Sequence, residues 1–236
     1  MSIVAILVDG GFFHRRANYL WGESSPDVRA DELYAYCRLH ITSHDKLYRI
    51  FYYDCPPSEK KVFHPLTKKQ VDLARTDMYK WMISFQDAMK TKRKVALRMG
   101  HLLDTDLQYV IRPDLTKKLC NGKLRLEDLT ETDFALNIVQ KGVDMKIGVD
   151  IASMAYKKQV NKMILIAGDS DFVPAAKLAR REGIDFVLDP MGASIRPDLS
   201  EHIDGLVSPR FVPKREQIAT AIKNQKEEED CPSDNP

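Results

Sequence analysis

The sequence lacks the features of several common protein classes. It has only four cysteines in 236 residues, and their wide spacing indicates neither a disulfide framework nor a paired-cysteine zinc site. No apolar run approaches the roughly 20 residues that cross a membrane. The apolar start of the chain is too short for the core of a signal peptide. Lys and Arg number 36 against 34 Asp and Glu, so the net charge does not indicate a class of partner. We therefore expect a cytoplasmic protein with reduced thiols and no membrane partner.

Short apolar runs alternate with helical patterns along the chain. Four of these runs predict the strands of a central sheet: Ile3–Val8, Leu47–Tyr53, Met163–Ala167 and Ile184–Leu188. The first and third are continuous apolar runs, which is typical of parallel strands buried on both faces. Strands that alternate with helices predict an α/β fold, with a central, mainly parallel sheet between two helical layers.

The helical patterns and the remaining segments define the predicted domain organisation. Helices are predicted over residues 31–44, 67–90, 131–139, 144–158, 172–181 and 199–206. Asn121-Gly122 lies between short β-capable runs and predicts a hairpin. We expect one domain over residues 1–210, with a small hairpin-bearing insertion at about 100–128. The charged tail, residues 211–236, is predicted to be disordered.

Acidic residues stand at the ends of the buried strands and at the starts of the following helices. Asp9 follows the first predicted strand, and Asp169 and Asp171 follow the third. Asp144 and Asp150 lie in the helix that precedes the third strand. Carboxylates brought together repel one another unless their pKa values rise or a cation neutralises them. Oxygen ligands suit Mg²⁺ or Mn²⁺, so the sequence predicts such a site.

Each of these carboxylates also has a simpler interpretation. Asp9 could bind backbone amides in its Asp-Gly-Gly turn. One of Asp169, Ser170 and Asp171 is expected to cap the helix that follows, which leaves the others to face the cleft. Asp150 lies about 240° around the helix from Asp144, so the two side chains cannot point the same way. We therefore expect Asp150 at the margin of the group.

The chain resembles the NYN domain, of the LabA-like group within the PIN-like nuclease superfamily, in three stretches. These are Val8-Asp9-Gly10-Gly11, Lys141-Gly-Val-Asp144 with Val149-Asp150, and Ala167-Gly-Asp169-Ser-Asp171-Phe-Val-Pro174. The resemblance implies a PIN-like α/β/α fold, a Mg²⁺ or Mn²⁺ cofactor and endonucleolytic cleavage of RNA. By position, Asp9, Asp144, Asp169 and Asp171 correspond to the family's catalytic, metal-binding cluster, with Asp150 as an additional acidic metal site.

A nucleic-acid partner needs cations around such an acidic cluster. Arg15, Arg16 and Lys141 are the predicted contacts because they stand next to the acidic motifs, and Ser170 is added to them. Single-stranded RNA is the expected partner, while a homo-oligomer or a regulatory protein partner stays open. Many family members have Asn where this chain has Phe12. The alternative function is therefore a PIN-like module that binds nucleic acid or protein and is weakly active or inactive.

Overall fold

The structure is a computed structural model that describes residues 1–103, 107–195, 197–207 and 213–230. The side chains of Ser170, Asp198 and residues 226–230 lie outside this description. The chain forms two compact units. The first comprises Met1–Asp54, Ser84–Gly100 and the chain from Gly142 onward, and the second comprises Cys55–Ile83 and His101–Lys141.

The first unit is built on a six-stranded sheet with the order β12-β11-β10-β1-β2-β5. Its strands are β1 (Ser2–Asp9), β2 (Asp45–Asp54), β5 (Val95–Met99), β10 (Lys162–Ile166), β11 (Asp185–Asp189) and β12 (Gly205–Leu206). Every described pairing within it is parallel. Residues 4–8 of β1 are fully buried, as a central parallel strand requires. The α/β fold and the four strands predicted from the sequence are confirmed.

Helices cover both faces of this sheet. They are α1 (Gly10–Trp21), α2 (Pro26–Leu39), α5 (Val143–Tyr156), α6 (Val173–Arg181), α7 (Pro197–Ser200) and α8 (Arg215–Asp230), with the end of α3 (Asp77–Thr91). Tyr52 and Tyr53 show the two faces, because successive residues of a strand point in opposite directions. The Tyr52 ring packs on Phe85 of α3, whereas the Tyr53 hydroxyl bonds Asp150 of α5. The three-layer arrangement follows from these contacts.

The second unit consists of short antiparallel pairs. They are β3 (Lys61–Phe63) with β4 (Gln70–Asp72), β6 (His101–Leu102) with β9 (Gln140–Lys141), and β7 (Gln108–Ile111) with β8 (Phe134–Asn137). Helix α4 (Pro113–Cys120) completes this unit. The buried His64 ring lies 4.7 Å from the Tyr109 ring and 5.0 Å from the Phe134 ring, between their centroids. The unit draws on two separate segments and is larger than the predicted insertion at 100–128.

Several local predictions in the second unit were wrong. Asn121-Gly122 does not form a hairpin: it ends helix α4, and Gly122 adopts a φ of +65°. The predicted helix at 131–139 is a 3₁₀ turn followed by β8. The predicted helix at 67–90 begins only at Asp77, after strand β4. In the last two cases the pairing of β8 with β7 and of β4 with β3 overrides the local helical spacing.

Two predictions outside the second unit also need correction. The predicted short helix at 199–206 is helix α7 followed by strand β12. The tail predicted to be disordered contains α8, which packs on α2 and buries Ile218 completely. The Trp21 indole also donates to the Pro213 carbonyl at 3.0 Å. Residues 211–212 and 231–236 of the predicted tail lie outside the described residues.

Two further findings concern the cysteines and the search for membrane-spanning helices. Cys37 and Cys120 carry free thiols, and the Cys55 thiol donates to the His101 carbonyl at 3.4 Å, whereas Cys231 lies outside the described residues. Within the part of the chain that the structure describes, none of the helices combines the length and the apolar character needed to cross a membrane.

Candidate active site at the carboxyl edge of the sheet

Asp9 ends β1 and starts α1. Its Oδ1 atom accepts a hydrogen bond from the Phe12 backbone N–H at 3.1 Å, which caps the helix. Burial raises the pKa of Asp9, and the negative charges of Asp144 and Asp54 add to this effect. The Phe12 N–H and the Arg15 charge lower the pKa, but they do not offset the burial. Asp9 therefore caps the turn as predicted. Its ionised form is also disfavoured by burial and by the neighbouring negative charges.

The adjacent strand β10 places Asp169 at the same edge of the sheet. Val8 pairs with Ile166 in the parallel ladder, so the chain leaves β1 and β10 side by side. The Asp169 Oδ1 accepts from the Asp171 backbone N–H at 3.2 Å, in the short turn that precedes α6. This local capping was one of the two interpretations that the sequence left open.

Asp144 connects this edge to helix α5. It lies in the first turn of α5, after Gly142, which has a left-handed φ of +82°. Burial raises the pKa of Asp144, and the charges of Asp169 and Asp171 raise it further. Since Asp144 also raises the pKa of Asp9, the four predicted catalytic carboxylates form one electrostatically coupled group.

The coupled group is not arranged as a finished metal site. Among the residues that the structure describes, no group of three or more His, Cys, Asp or Glu side chains could hold a metal ion. The contacts of Asp9 and Asp169 give a physical reason, because each turns an oxygen toward a nearby backbone N–H. The donor set itself is all carboxylate oxygen, which fits Mg²⁺ or Mn²⁺ held by few protein ligands.

Asp150 has partners of its own on the other side of α5. The Tyr53 hydroxyl donates to Asp150 Oδ2 at 2.8 Å, and the Arg98 Nε lies 3.1 Å from the same oxygen. Neither Asp9 nor Asp144 has Asp150 among the groups that shift its pKa. Asp150 thus ties β2 and the edge strand β5 to α5.

The sequence interpretation missed Asp54, which ends β2. Asp54 is buried, and its Oδ2 accepts from the Tyr52 hydroxyl at 2.6 Å. The Tyr52 hydroxyl lies 2.9 Å from the His14 Nε2. Because the single Tyr52 hydrogen goes to Asp54, His14 must donate to Tyr52, which fixes the Nε2–H tautomer. The signal was present in the sequence, since Asp54 follows an apolar strand just as Asp9 does.

Asp189, at the end of β11, shows that such a carboxylate can be wholly structural. It is fully buried and accepts from the Tyr36 hydroxyl at 2.6 Å and from the Met191 N–H at 2.8 Å. The His40 Nε2 lies 2.9 Å from its Oδ2. Met191 has a φ of +47°, so Asp189 holds a turn in a conformation that L-residues rarely adopt. Position at a strand end alone therefore does not identify a ligand.

The predicted nucleic-acid contacts separate into different roles. Arg15 is exposed and close enough to Asp9 to lower its pKa. Arg16 instead donates to the Met191 carbonyl at 2.7 and 3.2 Å and lies over the Tyr19 ring. Lys141 is exposed at the end of β9 in the second unit. The prediction for the Ser170 side chain falls outside the described residues.

Phe12 is a core residue at the site. It is 8 % exposed, and its ring lies so close to Gly168 that a Cβ at position 168 would overlap it. Gly10 is constrained in the same way, because a Cβ there would come within 2.8 Å of the Tyr53 carbonyl oxygen. The two glycines let α1 and the β10 loop approach the sheet edge closely.

Comparison with known protein families gives a match to one part of the chain. The model of the NYN domain family matches residues 111–198, which include Asp144, Asp169 and Asp171 but not Asp9. No curated protein matches the chain.

Two solved structures are similar to the chain in outline. A protein of unknown function from Vibrio parahaemolyticus is 14% identical, with a TM-score of 0.45, over 87% of this chain and 91% of that one. A structure described under the mechanism and regulation of Sir2 enzymes is 10% identical, with a TM-score of 0.32, over 96% of this chain and 94% of that one. Neither likeness is close enough to carry an argument. Residues 111–198 match the model of the NYN domain, which is a PIN-like nuclease domain family.

Proposed function

We propose that the protein is a metal-dependent ribonuclease that hydrolyses phosphodiester bonds of single-stranded RNA. The observation that supports this proposal is the position of Asp144 at the carboxyl edge of a parallel sheet: its charge raises the pKa of Asp9, and the charges of Asp169 and Asp171 raise the pKa of Asp144 itself. A fold gains no stability from carboxylates whose charges repel one another. A bound cation would neutralise their charges, so cation binding would explain why the carboxylates lie together.

Different residues would bind the metal, attract the RNA and position the helix in the proposed nuclease. Asp9, Asp144, Asp169 and Asp171 would hold Mg²⁺ or Mn²⁺ and exclude other anions from the edge. A bound divalent ion supplies a nucleophile from water and stabilises the charge on the phosphate. Arg15 is exposed beside Asp9 and would attract the phosphate backbone toward the acidic edge. Asp150, bonded to Tyr53 and Arg98, would keep α5 in position.

The test is cleavage of a generic single-stranded RNA with Mn²⁺, with Mg²⁺ and with a chelator. We expect cleavage only with metal, and a loss of more than about a hundredfold in Asp9→Asn and Asp169→Asn. Asp185→Asn is the matched control, because Asp185 begins β11 at the opposite edge of the same sheet and pairs with Lys162 at 3.4 Å. Cleavage that survives in both edge variants, or that needs no metal, contradicts the proposal.

Phe12 supports a second candidate function, a PIN-like module that binds without cleaving. The family's Asn at this position has a polar side chain, whereas the Phe12 ring is buried against Gly168 and has no group that could form a hydrogen bond with Asp9. In this case the wild type would bind RNA and Mn²⁺ but leave the RNA intact. Phe12→Asn would then be expected to bring cleavage, which separates a weakened nuclease from a protein with another role.

A further inference from the structure

The β3–β4 hairpin of the second unit presents an exposed aromatic ring among lysines. Val62 points inward and is 6 % exposed, so its neighbours Lys61 and Phe63 share the outward face of β3. Phe63 is 65 % exposed, and Leu66 in the connecting turn is 44 % exposed. An isolated exposed apolar residue needs no explanation, but an exposed Phe beside an exposed Leu on one hairpin is less usual.

The position of Phe63 is fixed by the residue that follows it. His64 is 2 % exposed, and its ring packs between Tyr109 and Phe134. The His64 carbonyl accepts from the Lys68 N–H at 2.8 Å, and its N–H donates to the Lys69 carbonyl at 2.9 Å. The hairpin is therefore anchored on the core of the second unit, and the exposure of Phe63 is a property of folded structure.

The charge of this hairpin is strongly biased. The segment 60–71 contains four lysines and no acidic residue, although the whole chain is nearly balanced. The lysines are Lys60, Lys61, Lys68 and Lys69, all of them exposed. Asp72 lies 3.9 Å from the Lys61 Nζ and 3.5 Å from the Arg75 Nε, so it offsets only part of this charge.

We propose that the Lys60–Gln70 hairpin binds single-stranded RNA, with a base stacked on Phe63 and phosphates held by Lys61, Lys68 and Lys69. A basic surface with an exposed aromatic ring is the usual composition of a sequence-tolerant single-strand site. The dense positive charge favours a polyanion over a protein partner, which would need a larger apolar surface. The choice of RNA as the ligand rests on the proposed nuclease function.

The experiment measures the affinity of a fluorescent oligouridylate for the full chain in EDTA, so that binding is separated from cleavage. Phe63→Ala should weaken binding by about tenfold, within the range for the loss of one stacked base. Phe63→Trp should retain the affinity, and the indole fluorescence that this substitution adds should be quenched on binding. Leu126→Ala is the control for the loss of an exposed apolar side chain that is not aromatic, because Leu126 is 69 % exposed in the same unit. Replacing Lys68 and Lys69 with Gln should reduce the salt slope by about 1.4.

The outcomes of this experiment test the hairpin site independently of the proposed nuclease activity. If Phe63→Ala binds as tightly as Leu126→Ala, or if the wild type does not bind, the hairpin site is overturned even if Asp9-dependent cleavage is observed. If Phe63→Ala weakens binding but the wild type never cleaves, the hairpin site stands and the nuclease proposal fails. A wild-type dimer that is lost in Phe63→Ala, with no change in RNA binding, would assign the face to a second copy and overturn the inference.

Discussion

At the scale of single residues, His14 should make the stability of the protein depend on pH. Burial lowers the pKa of His14 to about 4, with a further contribution from the charge of Arg29. An unfolded chain binds a proton at its ordinary pKa of 6.5, so between these values the unfolded state holds more protons. The free energy of unfolding should therefore fall by up to about 3 kcal/mol as the pH drops through this window.

Urea denaturation between about pH 4 and pH 7 measures this effect. The His14→Gln variant keeps a donor for Tyr52 but cannot titrate, so its stability should vary less over the same range. An unchanged pH dependence in His14→Gln would show that other groups account for the loss.

The neighbouring arginines Arg15 and Arg16 should respond differently to replacement by Ala. Arg15 is exposed beside Asp9, so Arg15→Ala should weaken RNA binding and lower the salt slope by about 0.7. Arg16 holds the Met191 carbonyl, so Arg16→Ala should instead cost about 1 to 3 kcal/mol of stability. Parallel binding and thermal melts would separate the two roles, and identical effects in both assays would argue against this division.

At the scale of elements, the close approach of α1 to the β10 loop depends on one small residue. Gly168→Ala should destabilise the protein by about 1 to 3 kcal/mol, because the added methyl overlaps the Phe12 ring. In a Phe12→Ala background the same substitution should cost much less. A double-mutant cycle of urea midpoints measures the coupling, and additive effects would mean that the Phe12 ring does not limit position 168.

The elements also show where sequence patterns succeed and fail. The apolar runs of β1 and β10 predicted buried parallel strands, because only burial on both faces accommodates consecutive apolar residues. Strand β8 was mistaken for a helix, since its apolar run is only three residues long and its pairing with β7 cannot be read from the local sequence. Helix α8 was missed because its apolar residues are few among many charged ones, and one of them, Ile218, is buried only because the helix packs on the distant α2.

At the scale of the whole molecule, metal should stabilise the folded protein. A ligand at about a hundredfold excess over its Kd contributes about 2.7 kcal/mol, which should raise the Tm of a chain of this size by about 5 to 10 °C. Mn²⁺ should stabilise Asp9→Asn and Asp169→Asn much less than the wild type, with Asp185→Asn again as the control. Equal stabilisation of all four proteins would place the bound metal elsewhere.

The same melts without metal test the electrostatic strain at Asp9. The raised pKa of Asp9 means that its ionised form opposes folding at neutral pH; this cost decreases as the pH falls through the folded pKa and is absent below the unfolded value of 3.8. Asp9→Asn should thus melt at a higher temperature than the wild type at neutral pH, and Asn can still cap α1. A lower Tm for Asp9→Asn at neutral pH would show that its carboxylate supports the fold.

The sequence by itself determined the sheet and the edge at which the proposed site lies. Continuous apolar runs followed by Asp9 and Asp169 require buried strands whose carboxyl ends meet, whatever surrounds them. Only the tertiary structure decided what each polar group does there. Asp150 pairs with Arg98, Asp189 holds Met191, and Asp54 joins the site through Tyr52, all by contacts that depend on how the strands and helices are packed. Local patterns carry no information on such contacts, because their free energy arises only when the packed elements have been brought together.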